Sequence, residues 1–257
     1  MITNDNESKN KVKDKIKDKT NNKVNNQNKK ELYLIRHGET DWNKLGLTQG
    51  AHNDIGLNMN GKYQSTMTGE YMKTRINNQP FDLIICSPLQ RTKLTAEIIA
   101  DHIDYDKDRI KYLDQLIEVD QGLLAIGKTI NQLKQDPFYN DFFNLMDSHN
   151  NLDRLQRLEL QDDIPDIFVT RYKMESTDHL HNRVKYVIDY IKNSPHNKII
   201  VVTHSGIIQA FNRLILNTAE DIKGDLSEGT NCNITYYKIT DDKFKMIMAP
   251  STFHLKN

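Results

Sequence analysis

The chain has 257 residues, enough for one large domain with a sizeable core. Its 35 basic and 35 acidic residues cancel, but unevenly: residues 1–30 hold nine lysines against four acids, leaving 26 basic and 31 acidic residues in a mildly acidic body. Two cysteines are too few for a disulfide framework, and no apolar run approaches the ~18 residues that would cross a bilayer.

Residues 1–30 consist largely of Lys, Asn and Asp, with Val12, Ile16 and Val24 their only apolar residues beyond Met1 and Ile2. Such a segment cannot bury enough surface to offset the entropy of ordering, so a disordered basic tail is expected. Its acids are interleaved with its lysines and it has no aromatic residue to stack on bases, which argues against nucleic acid as a partner. No apolar stretch follows the lysines, as a secretory signal would require. Cys86 and Cys232 form no Cys-x-x-Cys pair, and Cys86 lies inside an apolar run where packing is its expected role. A reducing, cytoplasmic setting fits, with no membrane partner.

Four apolar runs read as buried strands: Leu32–Ile35, Leu83–Cys86, Leu113–Val119 and Ile199–Val202. Helical stripes lie between them. Tyr63, Met67, Tyr71 (with Met72) and Ile76 follow Gly61. Leu89, Leu94, Ile98 and Ile99 follow Ser87-Pro88, which has the chemistry of an N-cap and first turn. Residues 127–175 are polar with aromatic islands and read as a partly helical insertion over the body, with a strand at Ile167–Val169. Leu180, Val184, Val187, Ile188 and Ile191 form the next stripe, closed by Pro195. Ile207, Ile208, Phe211, Leu214 and Ile215 form the last. Ile234–Ile239 and Phe244–Met248 read as two late strands around Thr240-Asp241-Asp242. Strands alternating with helices predict an α/β fold: a three-layer α/β/α sandwich with a mostly parallel central sheet, spanning 31–257.

Three of the strands end in chemically loaded turns: Arg36-His37-Gly38-Glu39-Thr40, Ser87-Pro88-Leu89-Gln90-Arg91-Thr92 and Thr203-His204-Ser205-Gly206. In a parallel α/β sheet, ligands bind beyond the carboxyl ends of the strands. Two arginines, two histidines and helix N-termini at those ends suit a phosphate group, and Gly38 and Gly206 are expected to let the backbone approach it. Each turn alone is an ordinary polar strand end or helix cap; their combination and order carry the reading.

These motifs resemble the histidine phosphatase superfamily, in its phosphoglycerate-mutase-like branch. Arg36-His37-Gly38-Glu39-Thr40 with Trp42-Asn43 matches that family's first signature, Thr48-Gln49-Gly50 its Gln-Gly stretch, Ser87 to Thr92 its Ser-x-x-x-Arg-Thr segment, and Val202 to Gly206 its second-histidine motif. Glu118 falls where the family places its acid, and Glu175-Ser176 with Arg183 resembles a Gly-Glu-Ser segment and a downstream arginine. The resemblance implies that His37 is a nucleophile that becomes a phosphohistidine. It implies that Arg36, Arg91 and His204 hold phosphoryl oxygens, with Asn43, Gln49, Gly50 and Ser205 beside them, and that Glu118 is the general acid and base. Asp114, Asp120 and Glu97 are weaker rivals for that role, and Glu118 has the competing reading of a plain strand-end carboxylate. A guanidinium at about 4 Å is worth up to ~4 kcal/mol at an effective dielectric near 20 and disfavours imidazolium, so Arg36 and Arg91 are expected to keep His37 neutral. No metal or cofactor is called for, because the arginines supply the positive charge.

The departures concern the pocket rim. Leu47 stands where the family often has arginine, residues 54–58 read Asp-Ile-Gly-Leu-Asn, and Gly122 to Gly127 lacks the common Trp and Glu. The residues after Glu118 do not resemble the Arg-His-Tyr-Gly segment of cofactor-dependent phosphoglycerate mutases. The favoured expectation is therefore a phosphatase on a small phosphorylated metabolite. A mutase is second, and a non-catalytic phosphate-binding or interaction module third.

Overall fold

A computed structural model describes residues 29–77, 79–137, 139–140, 144, 169–170, 173–216 and 229–256. The expected disordered tail, apart from Lys29 and Lys30, and most of the expected insertion lie outside the described residues. So does the strand expected at 167–169, apart from Val169, which is helical.

Six strands are present among the described residues: β1 (Lys29–Arg36), β2 (Leu83–Cys86), β3 (Lys111–Tyr112), β4 (Lys198–Thr203), β5 (Ile234–Thr240) and β6 (Lys243–Ser251). They form one sheet in the order β3-β2-β4-β1-β5-β6. β3, β2, β4 and β1 are mutually parallel, and β5 and β6 add an antiparallel edge. The helices are α1 (Asp41–Lys44), α2 (Met59–Thr74), α3 (Gln90–His102), α4 (Ile130–Leu133), α5 (Thr177–Asn193) and α6 (Ser205–Ile215).

Strand residues alternate between two cores, as the period of two requires. Leu32, Leu34, Ile85, Val201 and Tyr237 pack with α5 and α6. Tyr33, Ile35, Ile84, Cys86, Val202 and Tyr236 pack with α2 and α3 on the other face. Both faces are covered, and the expected α/β/α layering is present. α5 buries the stripe read from the sequence, Leu180, Val184, Val187, Ile188 and Ile191, with Ser176 as its N-cap.

Four local expectations fail, each for a tertiary reason. β1 starts at Lys29, inside the expected tail. Lys30 is buried there because its ammonium donates to the carbonyls of Ser194 and His196, the latter at 2.9 Å. The stripe of Tyr63, Met67 and Tyr71 is not the buried face of α2, and Ile76 lies beyond its end. Met72, the one member of the expected stripe to be fully buried, faces inward together with Gly61, Ser65, Thr68 and Gly69, because at the glycines the neighbours come too close for larger side chains. A Cβ on Gly69 would lie 2.8 Å from the His102 side chain, and one on Gly61 would lie 2.1 Å from Glu39 O. Ser87-Pro88 does not begin α3, whose N-cap is Leu89 with no side-chain cap of its own. Asp54 accepts the Gln90 N–H from an earlier loop at 2.5 Å. Finally, Leu113–Val119 is not a strand. After β3 the chain turns through a 3-10 segment at Asp114–Leu116 and sends Leu116 into the core. Its apolar residues Leu113 and Leu116 are three apart, a spacing that suits a turn better than a pleat.

Gly61→Ala tests the contact between α2 and the turn after β1. Because the clash is with backbone atoms, we expect a loss of about 1–3 kcal/mol, read as a lower urea midpoint at unchanged slope. An unchanged midpoint would show that this approach is not tight.

Candidate active site

Register brings the three loaded turns together. Arg36 pairs with Thr203 and Cys86 with Val202, so β1, β4 and β2 end almost level. The next residues, His37, His204 and Ser87, therefore stand side by side at adjacent carboxyl ends. The two imidazoles lie with centroids 5.2 Å apart, inclined at 61°.

His37 is buried, with 2% of its surface exposed. Its Nδ1 lies 2.7 Å from Gly38 O. A carbonyl only accepts, so Nδ1 carries the hydrogen and Nε2 keeps a free lone pair. The backbone behind the ring is fixed as well: His37 O accepts from Asn231 Nδ2 at 3.0 Å and Cys232 N at 3.2 Å, and His37 N donates to Thr203 O at 3.0 Å. His204 Nε2 meets Ser87 Oγ at 2.9 Å. Burial, then the charges of Arg36 and Arg91, hold the His37 ring well below the usual histidine range. Burial, then Arg91 and the neighbouring ring, do the same for His204.

Arg91 is fully buried. Its guanidinium donates from Nη1 to Asn53 O at 2.7 Å and from Nη2 to Gly50 O at 3.0 Å, so the loop carrying Gln49 and Gly50 wraps it. Gly50 is at φ +57°, in the region that favours glycine. Desolvation lowers both site arginines, Arg91 to about 10, without approaching neutrality at pH 7. Arg36 Nε, Arg91 Nε, His204 Nδ1 and Gln49 Oε1 are buried with no hydrogen-bond partner among the described residues. Buried polar atoms are nearly always satisfied, so the two arginine Nε–H groups call for an acceptor, while Gln49 Oε1 calls for a donor. Next to it, the N–H groups of Ser205 and Gly206 open α6, whose first intrahelical bond runs from Ile208 N to His204 O and which has no side-chain cap.

Asn43 is tied into the same centre. Its Oδ1 accepts from Thr40 N at 3.1 Å, from Thr40 Oγ1 at 3.1 Å and from Asn231 Nδ2 at 3.2 Å. Glu39 points elsewhere: its carboxylate accepts from Asn58, the N-cap of α2, at 2.9 Å. Glu118 is partly exposed, and desolvation pushes its carboxyl up against the opposing pull of Val119 N–H and both site arginines. Of the rivals, Asp120 pairs with the exposed His52 at 2.7 Å, and Asp114 is exposed at the start of the 3-10 turn. Among the described carboxylates, Glu118 alone acts on the charge of both Arg36 and Arg91.

The glycines also make room for protein atoms, a purpose the sequence did not show. A Cβ on Gly38 would lie 2.5 Å from Gly61 O and 2.9 Å from Ser65 Oγ, so Gly38 admits α2. A Cβ on Gly206 would lie 2.6 Å from both Glu118 Oε1 and Val119 Cγ2, so Gly206 admits the Glu118-Val119 pair to the mouth of α6. Sequence reasoning missed Asn231 and did not single out Ser87 as the partner of His204. The polar run Thr230-Asn231-Cys232-Asn233 just before β5 was the available signal.

A family model described as the histidine phosphatase superfamily, branch 1, matches residues 32–249. An uncharacterized phosphatase, PhoE, of Bacillus subtilis is 44% identical over 89 residues, 35% of this chain and 42% of that protein. Phosphoserine phosphatase 1 of Hydrogenobacter thermophilus is 27% identical over 178 residues, 68% of this chain and 71% of that protein. A phosphoglycerate mutase structure from Bacillus anthracis superposes with a TM-score of 0.67 at 18% identity, covering 90% of this chain and 96% of the other; at that identity it shows the fold alone.

An NMR titration of the imidazoles tests the electrostatics. His37 and His204 are expected to protonate only well below pH 6.5. Arg91→Gln is expected to raise both, because it removes a positive charge that disfavours imidazolium. A His37 ring already titrating at or above 6.5 would contradict this account.

Proposed function

The chain belongs to the histidine phosphatase superfamily, branch 1, and from that premise we propose that it hydrolyses a small phosphomonoester through a phosphohistidine at His37. The observation that carries this reading is the His37 ring, hydrogen-bonded through Nδ1 and free at Nε2, beside the buried Arg91 and the half-buried Arg36, whose Nε atoms are both buried and unpartnered among the described residues. The B. subtilis relative covers little of either chain, and the name of the H. thermophilus relative makes phosphoserine a sensible first substrate to try.

In the first step His37 Nε2 attacks phosphorus as the ester P–O bond breaks. Glu118 gives its proton to the leaving oxygen and the alcohol departs. Its raised carboxyl supports this role, since a proton must be present to be given. Arg36 and Arg91 are assigned the equatorial oxygens, whose charge they neutralise in the transition state. His204, the Ser205 and Gly206 amides, Asn43 and Gln49 complete the cradle. In the second step the Glu118 carboxylate takes a proton from water, the resulting hydroxide attacks phosphorus, and the P–N bond breaks. Phosphate leaves, with His37 neutral and Glu118 protonated again.

A mutase is the second reading, because the same fold carries a phosphoglycerate mutase. It would keep the phosphoryl group from water and return it to the substrate. The two buried free cysteines fit a reducing cytoplasm, which we also propose. Among the described residues no helix is long and apolar enough to cross a membrane.

Two experiments test the assignment. His37→Ala is expected to release no phosphate from any member of a panel that includes phosphoserine and 3-phosphoglycerate, while the intact enzyme does and forms an acid-labile, base-stable phosphoenzyme. Full activity in the variant refutes His37 as nucleophile, and interconversion of 3- and 2-phosphoglycerate without phosphate release selects the mutase. Gly206→Ala is expected to lower turnover at least ~10-fold, because its Cβ would meet Glu118 Oε1 and Val119 Cγ2, each at 2.6 Å, and push the carboxylate from the mouth of α6. Unchanged turnover would place Glu118 away from the chemistry.

A further inference from the structure

Glu118 stands on a segment that is neither strand nor helix. Leu113 N still donates to Cys86 O at 2.9 Å, but the backbone then leaves the sheet. Carbonyl groups of such a segment must find donors elsewhere. Three successive ones find them in side chains. Thr203 Oγ1, from β4, donates to Leu116 O at 2.9 Å. Arg183, from α5, donates through Nη1 to Gln115 O at 2.8 Å and to Ile117 O at 2.6 Å.

The rest of that guanidinium grips Glu175, with Nε to Oε1 at 2.5 Å and Nη2 to Oε2 at 2.6 Å. Both side chains are nearly buried, at 11% and 6% exposure. Burial alone would raise the Glu175 carboxyl, but the bonds and charge of Arg183 outweigh it and the net shift is downward, so the pair is ionised. Glu175 in turn holds the far side of Glu118: its N–H donates to Asp120 O at 2.8 Å, and its Oε2 accepts from Asp120 N at 3.4 Å. His179 leans on the same carboxylate at 2.6 Å. One ion pair therefore fastens the residues before Glu118 and the residue two after it.

We propose that Arg183, anchored by Glu175, is the positioning residue for Glu118: it holds the acid's irregular segment at the mouth of α6, where the leaving oxygen is protonated. The proposal rests on the assignment of Glu118 as general acid. A carboxyl on an irregular segment is only as well placed as its backbone is pinned, and a misplacement of about 1 Å costs on the order of 100-fold in rate. Arg183 has the required shape, since its planar fork serves two carboxylate oxygens and two carbonyls at once. Lysine would match the charge but not the fork. The Arg183 charge also acts on Glu118 directly, opposing the effect of its burial.

The test separates positioning from general structural damage through the leaving group. A p-nitrophenolate leaves without needing a proton, whereas an alkoxide does not, and kcat/KM reports the steps up to formation of the phosphoenzyme. Arg183→Lys and Glu175→Gln, each shown to be folded by its thermal melt, are compared with Glu118→Gln on p-nitrophenyl phosphate and on 3-phosphoglycerate. We expect kcat/KM for 3-phosphoglycerate to fall at least ~10-fold in both positioning variants, and further in Glu118→Gln, as loss of a general acid does. For p-nitrophenyl phosphate the change should stay within about threefold. Equal losses on both substrates, or no loss, in the Arg183 and Glu175 variants while Glu118→Gln shows the difference would overturn the proposal and leave the acid in place. A Glu118→Gln enzyme that does not distinguish the two substrates would overturn both.

Discussion

The parallel pairing of β1 between β4 and the antiparallel edge decides almost everything else about this site. Arg36 faces Thr203 across that pairing, and Cys86 faces Val202 on the other side of β4. Because the three strands end within one residue of level, the polar residue that follows each of them lands near the other two. Two imidazoles and a serine hydroxyl come within one side chain's reach with no help from any loop. A slip of one residue would send each to the opposite face of the sheet. The covered, apolar faces on both sides of the sheet make such a slip costly, so the cores that stabilise the domain also set the geometry of its chemistry.

Electrostatics follows from that placement. One buried and one half-buried guanidinium beside two buried rings make protonated histidine unfavourable, while the arginines themselves stay charged because their ordinary pKa is so high. The fold thus keeps the His37 ring neutral within a positive setting, the combination that the proposed attack on an anionic substrate requires. The acid is treated in the opposite way. Desolvation raises Glu118 and the arginines pull it back, leaving a carboxyl able both to give and to take a proton.

Close backbone approaches do the remaining positioning. Gly38 and Gly61 let the turn after β1 sit against α2, and Gly206 lets the Glu118 carboxylate sit at the first turn of α6. The irregular stretch before Glu118 is held by donors from β4 and α5 rather than by a ladder. Such features leave little trace in local sequence, because the partner that makes a glycine or an arginine necessary lies far along the chain, 88 residues away for Gly206 and Glu118 and 68 for Arg183 and Gln115.

The sequence by itself determined the strands β1, β2 and β4, the buried stripe of α5, the layered α/β class and the identity of the residues at the strand ends, because those depend on local hydrophobic period and on residue chemistry. His37, Arg36, Arg91 and His204 were legible for the same reason: charged groups directly after a buried apolar run stand out. Tertiary structure alone decided which face of α2 is buried, that Asp54 rather than Ser87 caps α3, that Ser87 turns to His204, and that Asn231 braces His37 and Asn43. It also decided that Leu113–Val119 is a pinned turn and that Gly38 and Gly206 make room for protein atoms. In each case the deciding contact joins segments distant in sequence, and no local period records the distance between them.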